Sequence, residues 1–199
     1  FVHVADVIGH PLVVVEVGGI GGRAVEGLDA AVSVFGAEGA RFRDLSGRVA
    51  ATTDADESPS GDRSAVRFAG AVAGRRAIAL LSGDRSVAGT VVEIAGTDVS
   101  AERQILPVPT PDSRDRTVRR DHRTVGVDDA LSRAERAFDE RVGLVTQVGE
   151  RESFPVPYYL AQTADTQGFS DVRAAEFAAG VDPDWDRAFM KALGEALER

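Results

Sequence analysis

The chain has 199 residues, a net charge of -9, 43% hydrophobic residues and no cysteine. That hydrophobic content suffices for a packed core and is too high for a disordered chain. The lack of cysteine excludes disulfides and thiolate metal sites in this chain, and the acidic balance disfavours general binding of nucleic acids. The apolar runs, such as Pro11 to Val15, are far shorter than a membrane span. The composition therefore predicts a globular protein that binds neither membranes nor nucleic acids.

The charged residues also predict the kind of organism and the cell compartment in which the protein occurs. Lys191 is the only lysine, and Arg, Asp, Ala, Val and Gly dominate, as in GC-rich genomes. The acidic surplus would suit the salt-rich cytoplasm of a halophilic archaeon. The sequence begins at Phe1 rather than Met and has no basic segment before an apolar one, so we expect a cytoplasmic piece of a longer protein without a signal peptide.

The first region, up to about Leu45, is expected to form a strand, a turn and a helix. Pro11 to Val17 is rich in β-branched residues and predicts a strand central to a sheet. Apolar residues recur at helical spacing from Ala24 to Phe35, with Gly36 as a stop. Between them, Gly19 to Ala24 fits Gly-x-Gly-x-x-Ala, which can approach a dinucleotide pyrophosphate. The alternative is a turn that needs glycine for its dihedral angles, and we favour it, so we expect no binding of NAD or FAD.

The second region, about residues 46 to 111, begins with a polar stretch from Thr52 to Arg63 that predicts a loop or linker. Asp62 is expected to cap a helix that ends near Gly83. Two short strands are predicted after it, at Thr90 to Ile94 and Gln104 to Val108. The prolines between Pro107 and Pro111 predict a boundary close to residue 115.

The third region, from about His122 to Arg199, predicts a helix from Val127 to Phe138 and strands at Val142 to Val148 and Val156 to Ala161. Asp182, followed by Pro183, is expected to cap the last helix. The apolar stripe of that helix should face the core; its members are Trp185, Phe189, Ala192, Leu193 and Ala196. The three regions together predict an α/β fold of the mixed α+β type.

The opposite face of the last helix gathers Lys191, Glu195 and Glu198 at spacings of i, i+4 and i+7. Two carboxylates three residues apart can hold a divalent cation that also binds ATP phosphates. The alternative is a solvated face with Lys-Glu pairs that contribute little stability. The spacing alone leaves both interpretations open and favours the solvated face.

Several segments of the third region match one family in order and spacing. They are His122-Arg-Thr124, Val127 to Leu131, Arg141 to Val148, Phe154 to Ala161, Ala179-Gly180 and Lys191 to Arg199. Together they resemble the opening part of a YcaO domain, and the last one resembles that family's Ser-x-x-x-Glu-x-x-Glu-Arg motif. Ala179-Gly180 stands where many members have a Gly-Lys-Gly turn. Lys191 stands where the motif has serine.

The YcaO resemblance implies an activity and a cofactor. Family members use ATP to phosphorylate backbone amide oxygens, and they form azolines from Cys, Ser or Thr residues of ribosomal peptides or install thioamides or amidines. By resemblance, Glu195 and Glu198 help to bind magnesium and the nucleotide phosphates, and Lys191 contacts a phosphate or neutralises Glu195. The expected cofactors are ATP and Mg, and the expected partners are a substrate peptide and a partner protein or a second copy of the chain. The catalytic residues are not assigned.

Residues 1 to about 115 look similar to the ThiF-like segment that precedes the YcaO part in some cyclodehydratase-like proteins. The resemblance thus divides the chain into residues 1–115, a ThiF-like or docking region, and residues 116–199, the truncated N-terminal part of a YcaO domain. Two other functions stay open. Residues 1 to 115 could belong to a non-catalytic module that recruits a peptide or partner, or Gly19 to Ala24 could serve a nicotinamide enzyme.

Two further groups have a functional and a structural interpretation. His122 lies in the arginine-rich segment Arg119 to Arg123, which could contact ATP phosphates or an acidic leader peptide, or could be a charged linker. Tyr158 and Tyr159 could stack on a ligand, but we expect them to pack within a strand because no other aromatic residues interleave with basic ones.

Overall fold

A computed structural model describes residues 10–49, 60–107, 125–152, 155–163 and 176–198. Within these residues, nine strands and four α-helices form a mixed α+β fold, as predicted. The strands are β1 (Leu12–Val17), β2 (Gly19–Ile20), β3 (Arg23–Ala24), β4 (Ala30–Phe35), β5 (Thr90–Ala95), β6 (Asp98–Gln104), β7 (Val145–Glu152), β8 (Tyr158–Thr163) and β9 (Phe177–Val181). The helices are α1 (Phe42–Ser46), α2 (Arg63–Leu81), α3 (Val127–Ala134) and α4 (Trp185–Glu198).

The larger sheet has the order β1-β4-β5-β6, and every pair in it is antiparallel. The predicted first strand is present, but its predicted central position is wrong, because β1 is at the end of the sheet. Its register pairs Leu12 with Phe35 and Val17 with Ala30. Val15 and Val17 remain 40% and 37% exposed, because the described residues place a neighbouring strand on one side of β1 only.

The predicted helix from Ala24 to Phe35 is wrong. Its second half is β4, and its first half belongs to a small β2–β3 hairpin and the loop after it. All six residues of β4 are buried: Val32 and Val34 pack with α2, whereas Ala31 and Phe35 face the other core. A strand buried on both faces has a continuous apolar run rather than an alternating one. That run satisfied the helical spacing by chance.

The helix α2 confirms the predicted element and its cap. The Asp62 carboxylate accepts hydrogen bonds from the backbone amides of Ser64, at 2.8 Å, and Ala65, at 3.4 Å. A carboxylate at this position satisfies amides that have no partner inside the helix. Ala65 and Ala69 of α2 are fully buried, and Leu80 near its end packs against the same core, so the helix lies on the sheet along most of its length.

The strand predicted at Thr90 to Ile94 is confirmed as β5, but the one predicted at Gln104 to Val108 is wrong. β6 ends at Gln104 and begins at Asp98, directly after the turn that contains Gly96. β6 has an exposed, polar sequence, which hides its strand character from a search for apolar runs. Ile105, just beyond β6, is buried in the core of the larger sheet.

The C-terminal unit is the antiparallel sheet β7-β8-β9 with α4 packed on one face. Both predicted strands exist but begin later, at Val145 and Tyr158, and the predicted helix α3 ends at Ala134 with one 3-10 turn after it. The expectation of a turn at Ala179-Gly180 is wrong, because both residues lie within β9. Tyr159 packs edge-to-face on Phe189 at 5.7 Å between ring centroids, in line with strand packing.

Other predictions fall largely outside the described residues. These are the linker at residues 52–63, apart from its last four positions, the proline-rich boundary and the arginine-rich segment around His122. Among the helices of the described residues, none combines the length and the apolar character that crossing a bilayer requires.

Candidate functional site

The helix α4 begins at Trp185, two residues later than Asp182 would place it as a cap. The amide of Arg187 donates to the Asp184 carboxylate at 3.0 Å, and the amide of Asp184 donates to Asp182 at 3.0 Å. Asp184 therefore caps α4 by accepting from a backbone amide of its first turn, and Asp182 stabilises the turn before the helix. The two aspartates together lead the chain from β9 into α4.

The predicted apolar stripe of α4 is confirmed in its C-terminal part. Ala192 and Leu193 are fully buried, and Ala196 is 8% exposed. Phe189 is half-buried. Trp185 is 48% exposed, although its ring packs edge-to-face on Tyr159 with 6.2 Å between the ring centroids. The stripe turns the other face of α4 to solvent, which fixes where the predicted site residues lie.

Glu195 is exposed on that outer face, as predicted. The side chain of Glu198 lies outside the described part of the chain, so its pairing with Glu195 stays a prediction. Lys191 donates from Nζ to the Asp182 carboxylate at 2.7 Å and to the carbonyl oxygen of Val181 at 3.0 Å. The amine thus ties α4 to the end of β9, and the same interaction holds the pKa of Asp182 below its ordinary value.

The acidic residues of the described ranges form no cluster of three or more side chains that could hold a metal ion. Magnesium bound with a nucleotide needs only one or two protein carboxylates, because phosphate oxygens and waters complete its octahedron. Glu195, exposed and on a regular helix, fits one of those positions. The described residues therefore place one exposed carboxylate on this face of α4, and a nucleotide-bound magnesium site there stays a prediction.

The glycine motif from Gly19 to Ala24 forms the β2–β3 hairpin rather than a turn from strand to helix. Gly21 and Gly22 have φ angles of 62° and 80°, which glycine adopts without strain. Their amides donate to the Glu16 carboxylate at 2.8 and 2.5 Å. The groups that would bind a pyrophosphate already have an anionic partner, and no helix follows the motif, so the geometry favours the structural interpretation.

A charged cluster that sequence analysis missed joins the larger sheet to the C-terminal unit. Arg103 of β6 donates to Glu93 of β5 at 2.6 Å and to Asp139 at 2.9 Å, and Arg141 lies 3.4 Å from Glu93. Burial alone would lower the pKa of Arg103, but the hydrogen bonds to Glu93 and Asp139 outweigh it and raise that pKa. Only the fold brings these residues together, because 36 positions separate Arg103 from Asp139.

The segment that carries Asp139 is anchored at a second point. Asp139 accepts hydrogen bonds from the amides of Arg141 and Val142 at 2.8 and 2.9 Å, and Val142 is buried in the core of the larger sheet. Arg48, only 3% exposed, donates to the carbonyl oxygen of Val142 at 3.4 Å. Burial lowers the pKa of Arg48, and Asp44 opposes that effect. These contacts make the cluster a structural joint between the two units.

Comparison with known proteins gives one informative likeness. No protein-family model matches the chain, and no curated protein matches it. One solved structure, a heterocyclase in complex with substrate and cofactor, aligns over 100% of this chain with a TM-score of 0.57 and 12% identity. The chain spans 32% of the length of that heterocyclase. At this identity the likeness concerns the fold alone, and the chain has a coarse heterocyclase-like fold.

Proposed function

We propose that this chain is part of an ATP- and magnesium-dependent enzyme of YcaO type that activates backbone amides of peptides. The proposed reaction is azoline formation, with thioamidation as the related alternative. The single observation that carries the proposal is the likeness to a solved heterocyclase over the whole chain. The Lys191 to Arg199 segment supports it independently, because its resemblance to the YcaO motif is one of sequence and not of fold.

An apolar face of the C-terminal sheet supports the proposal that the chain belongs to a larger domain. α4 covers one face of that sheet, whereas Phe177 and Val181 of β9 are 49% and 45% exposed on the other. Leu160, opposite Ala179 in the register, adds to the same face. Apolar sheet faces are normally covered by another layer of structure, and the remainder of the proposed domain would supply it.

In the proposed enzyme, Glu195 and Glu198 help to hold magnesium and the nucleotide phosphates. Bound magnesium would neutralise phosphate charge and so favour transfer of the phosphoryl group to a peptide amide oxygen. Lys191 keeps its amine on Asp182 and Val181, and so it fixes α4 against β9 rather than reaching outward. We infer that the lysine positions the glutamates, where the family motif has serine.

The test uses a longer polypeptide that carries this chain together with the rest of the proposed domain. Glu195→Gln and Glu198→Gln should each reduce peptide-dependent phosphate release roughly tenfold or more, with unchanged circular dichroism. Glu135→Gln, at an exposed glutamate outside α4, is the matched control and should retain the activity. Normal release by the double variant would contradict the site. A polypeptide that binds peptide but never hydrolyses ATP would instead indicate a peptide- or partner-binding module.

The chain of 199 residues alone should bind ATP-magnesium weakly or not at all in calorimetry. Two glutamates on an exposed helix leave the charge interaction screened by water and salt, and the site is not organised before binding. Tight, saturable binding by the chain alone would contradict this expectation, because the site would then be complete without further protein.

A further inference from the structure

The contacts between the C-terminal unit and the larger sheet concentrate on residues 139–142, which we call the plug. Among the described residues, no helix or strand of the larger-sheet side packs broadly on one of the C-terminal unit. Val142 instead inserts into the core of the larger sheet and is fully buried there. Two units of one chain are expected to move relative to each other unless their interface is large and apolar. The contacts of the plug therefore decide whether these two units move.

The plug is part of a compact loop that belongs to the C-terminal unit. The amide of Asp139 donates to the carbonyl oxygen of Val145 at 3.1 Å, and the amide of Gly143 donates to that of Asp139 at 3.1 Å. A Cβ atom added at Gly143 would lie 2.6 Å from the carbonyl oxygens of both Asp139 and Val145. Because Val145 is the first residue of β7, the loop is fixed to the C-terminal sheet. Val142 is therefore expected to move with that sheet.

Charged pairs hold the plug at its rim. Arg103 of β6 reaches Asp139 at 2.9 Å and Glu140 at 3.3 Å. Arg141 of the plug reaches Glu93 of β5 at 3.4 Å. Each arginine thus faces a carboxylate of the other unit, and the pairs align the plug with β5 and β6. Water and salt weaken such pairs where they are exposed, as Glu140 is.

The guanidinium of Arg48 lies against the plug with few hydrogen bonds. Arg48 is 3% exposed, and its Nη1 donates to the carbonyl oxygen of Val142 at 3.4 Å, which is longer than usual. Its Nε and Nη2 are buried and have no hydrogen-bond partner among the residues that the structure describes. Burial of a charged donor without partners is destabilising, and the charge of Asp44 offsets only part of this effect. Docking of the plug therefore stabilises Val142 and destabilises Arg48.

We propose that the plug is a two-state joint, which either docks Val142 in the core of the larger sheet or withdraws together with the C-terminal unit. Withdrawal would expose Val142 but return the guanidinium of Arg48 to water. These opposing effects bring the two arrangements close in free energy, which is the condition for a conformational switch. Withdrawal would also move α4, with Glu195, relative to the larger sheet. The proposal does not depend on ATP or magnesium, so it can fail while the proposed function holds.

The first experiment measures how often Val142 leaves the core. The chain has no cysteine, so one introduced thiol reports on one position. Val142→Cys places the thiol in the plug, and Val91→Cys, the matched control, places it in β5 within the same core, where both positions are 0% exposed. A thiol reagent under native conditions should label position 142 at least roughly tenfold faster than position 91. Equal rates would overturn the proposal, because both thiols would then be exposed only by global unfolding.

The variant Arg48→Met tests whether the buried arginine opposes docking. Methionine fills a similar volume without unpaired donors, so in the Val142→Cys protein it should slow labelling at position 142 roughly threefold or more. If the bond from Arg48 to Val142 merely supported the joint, the same change would speed labelling. Faster or unchanged labelling would therefore overturn the proposal.

Spin labels test whether the C-terminal unit moves as one body. Arg67→Cys in α2 and Arg187→Cys in α4 carry labels on the two sides of the joint, whereas Arg67→Cys and Asp98→Cys carry the control pair on the larger-sheet side; all three positions are exposed. Val142→Ser, which weakens apolar burial, should add a second distance for the first pair and leave the control distance unchanged. An unchanged first pair would overturn the proposal. So would a change in both pairs, because the larger sheet itself would then have loosened.

Discussion

Gly180 is the position where one added methyl group should have the largest effect on the C-terminal unit. It lies in β9, directly beneath α4. A Cβ atom added there would clash with the carbonyl oxygen of Ala188 and the amide nitrogen of Ala192, and would lie 3.0 Å from the Cα of Ala192. All three are backbone atoms, so no side chain can rotate away. The change Gly180→Ala therefore requires the helix itself to move.

The size of the effect follows from these contacts. Ordinary contacts between non-bonded atoms are about 3.5 Å or longer, so α4 would have to withdraw by roughly 1 Å. Overpacking of this kind typically costs about 1–3 kcal/mol, and α4 supplies the buried Ala192 and Leu193 to a small core. We expect Gly180→Ala to lower the free energy of unfolding by about 2 kcal/mol.

The assay is urea unfolding, followed by the fluorescence of Trp185, the only tryptophan. Gly149→Ala is the matched control, because Gly149 is in β7 of the same sheet and an added Cβ there meets nothing within 4 Å. It should be neutral or slightly stabilising. If Gly180→Ala were as stable as Gly149→Ala, β9 and α4 would not be in close contact, and the arrangement that presents Glu195 to solvent would be wrong.

Arg103→Leu should lower the free energy of unfolding by about 2 kcal/mol, because it leaves the buried Glu93 and the partly buried Asp139 without their shared arginine. Arg76→Leu, which removes a more exposed pair, should cost under about 1 kcal/mol, and equal losses would contradict the structural joint at Arg103. Gly21→Val should destabilise the hairpin, since φ is 62° there and Ser46 lies 3.1 Å from the added Cβ. NAD should leave the melting temperature of the parent protein unchanged. A melting temperature that rises with NAD concentration would revive the dinucleotide interpretation. Lys191 depresses the pKa of Asp182, so their interaction stabilises the fold above about pH 3.8 and is lost as the pH falls below that value. The variant Lys191→Met should therefore lose less stability than the parent protein when the pH falls below 3.8. Identical acid unfolding profiles of the two proteins would contradict the pairing.

Local signals were sufficient for some elements. The helix α2 was predicted with its cap because Asp62 and the following residues interact within one turn. The strands β1 and β5 were predicted because their β-branched runs favour extended backbone. The outward position of Glu195 followed from the periodicity of α4, since the apolar stripe and the charged face are properties of the same few turns.

Other features depend on contacts between distant parts of the chain. β4 satisfied a helical pattern, and only pairing with β1 and β5 makes it a strand. β9 contains Ala179-Gly180, where the YcaO resemblance implies a turn, and its glycine is needed because α4 packs on it closely. Sheet pairing and close packing involve partners that local propensity does not specify.

The composition and the residue order determined the fold class, the capped helix α2 and the face of α4 that carries Glu195. Only the tertiary structure decided that Arg103 meets Asp139 and Glu93, and that Val142 inserts into the core of the larger sheet. The physical reason is the range of the forces involved. Capping and periodicity act within a few residues, whereas charge pairing and layer packing depend on which surfaces the folded chain brings together.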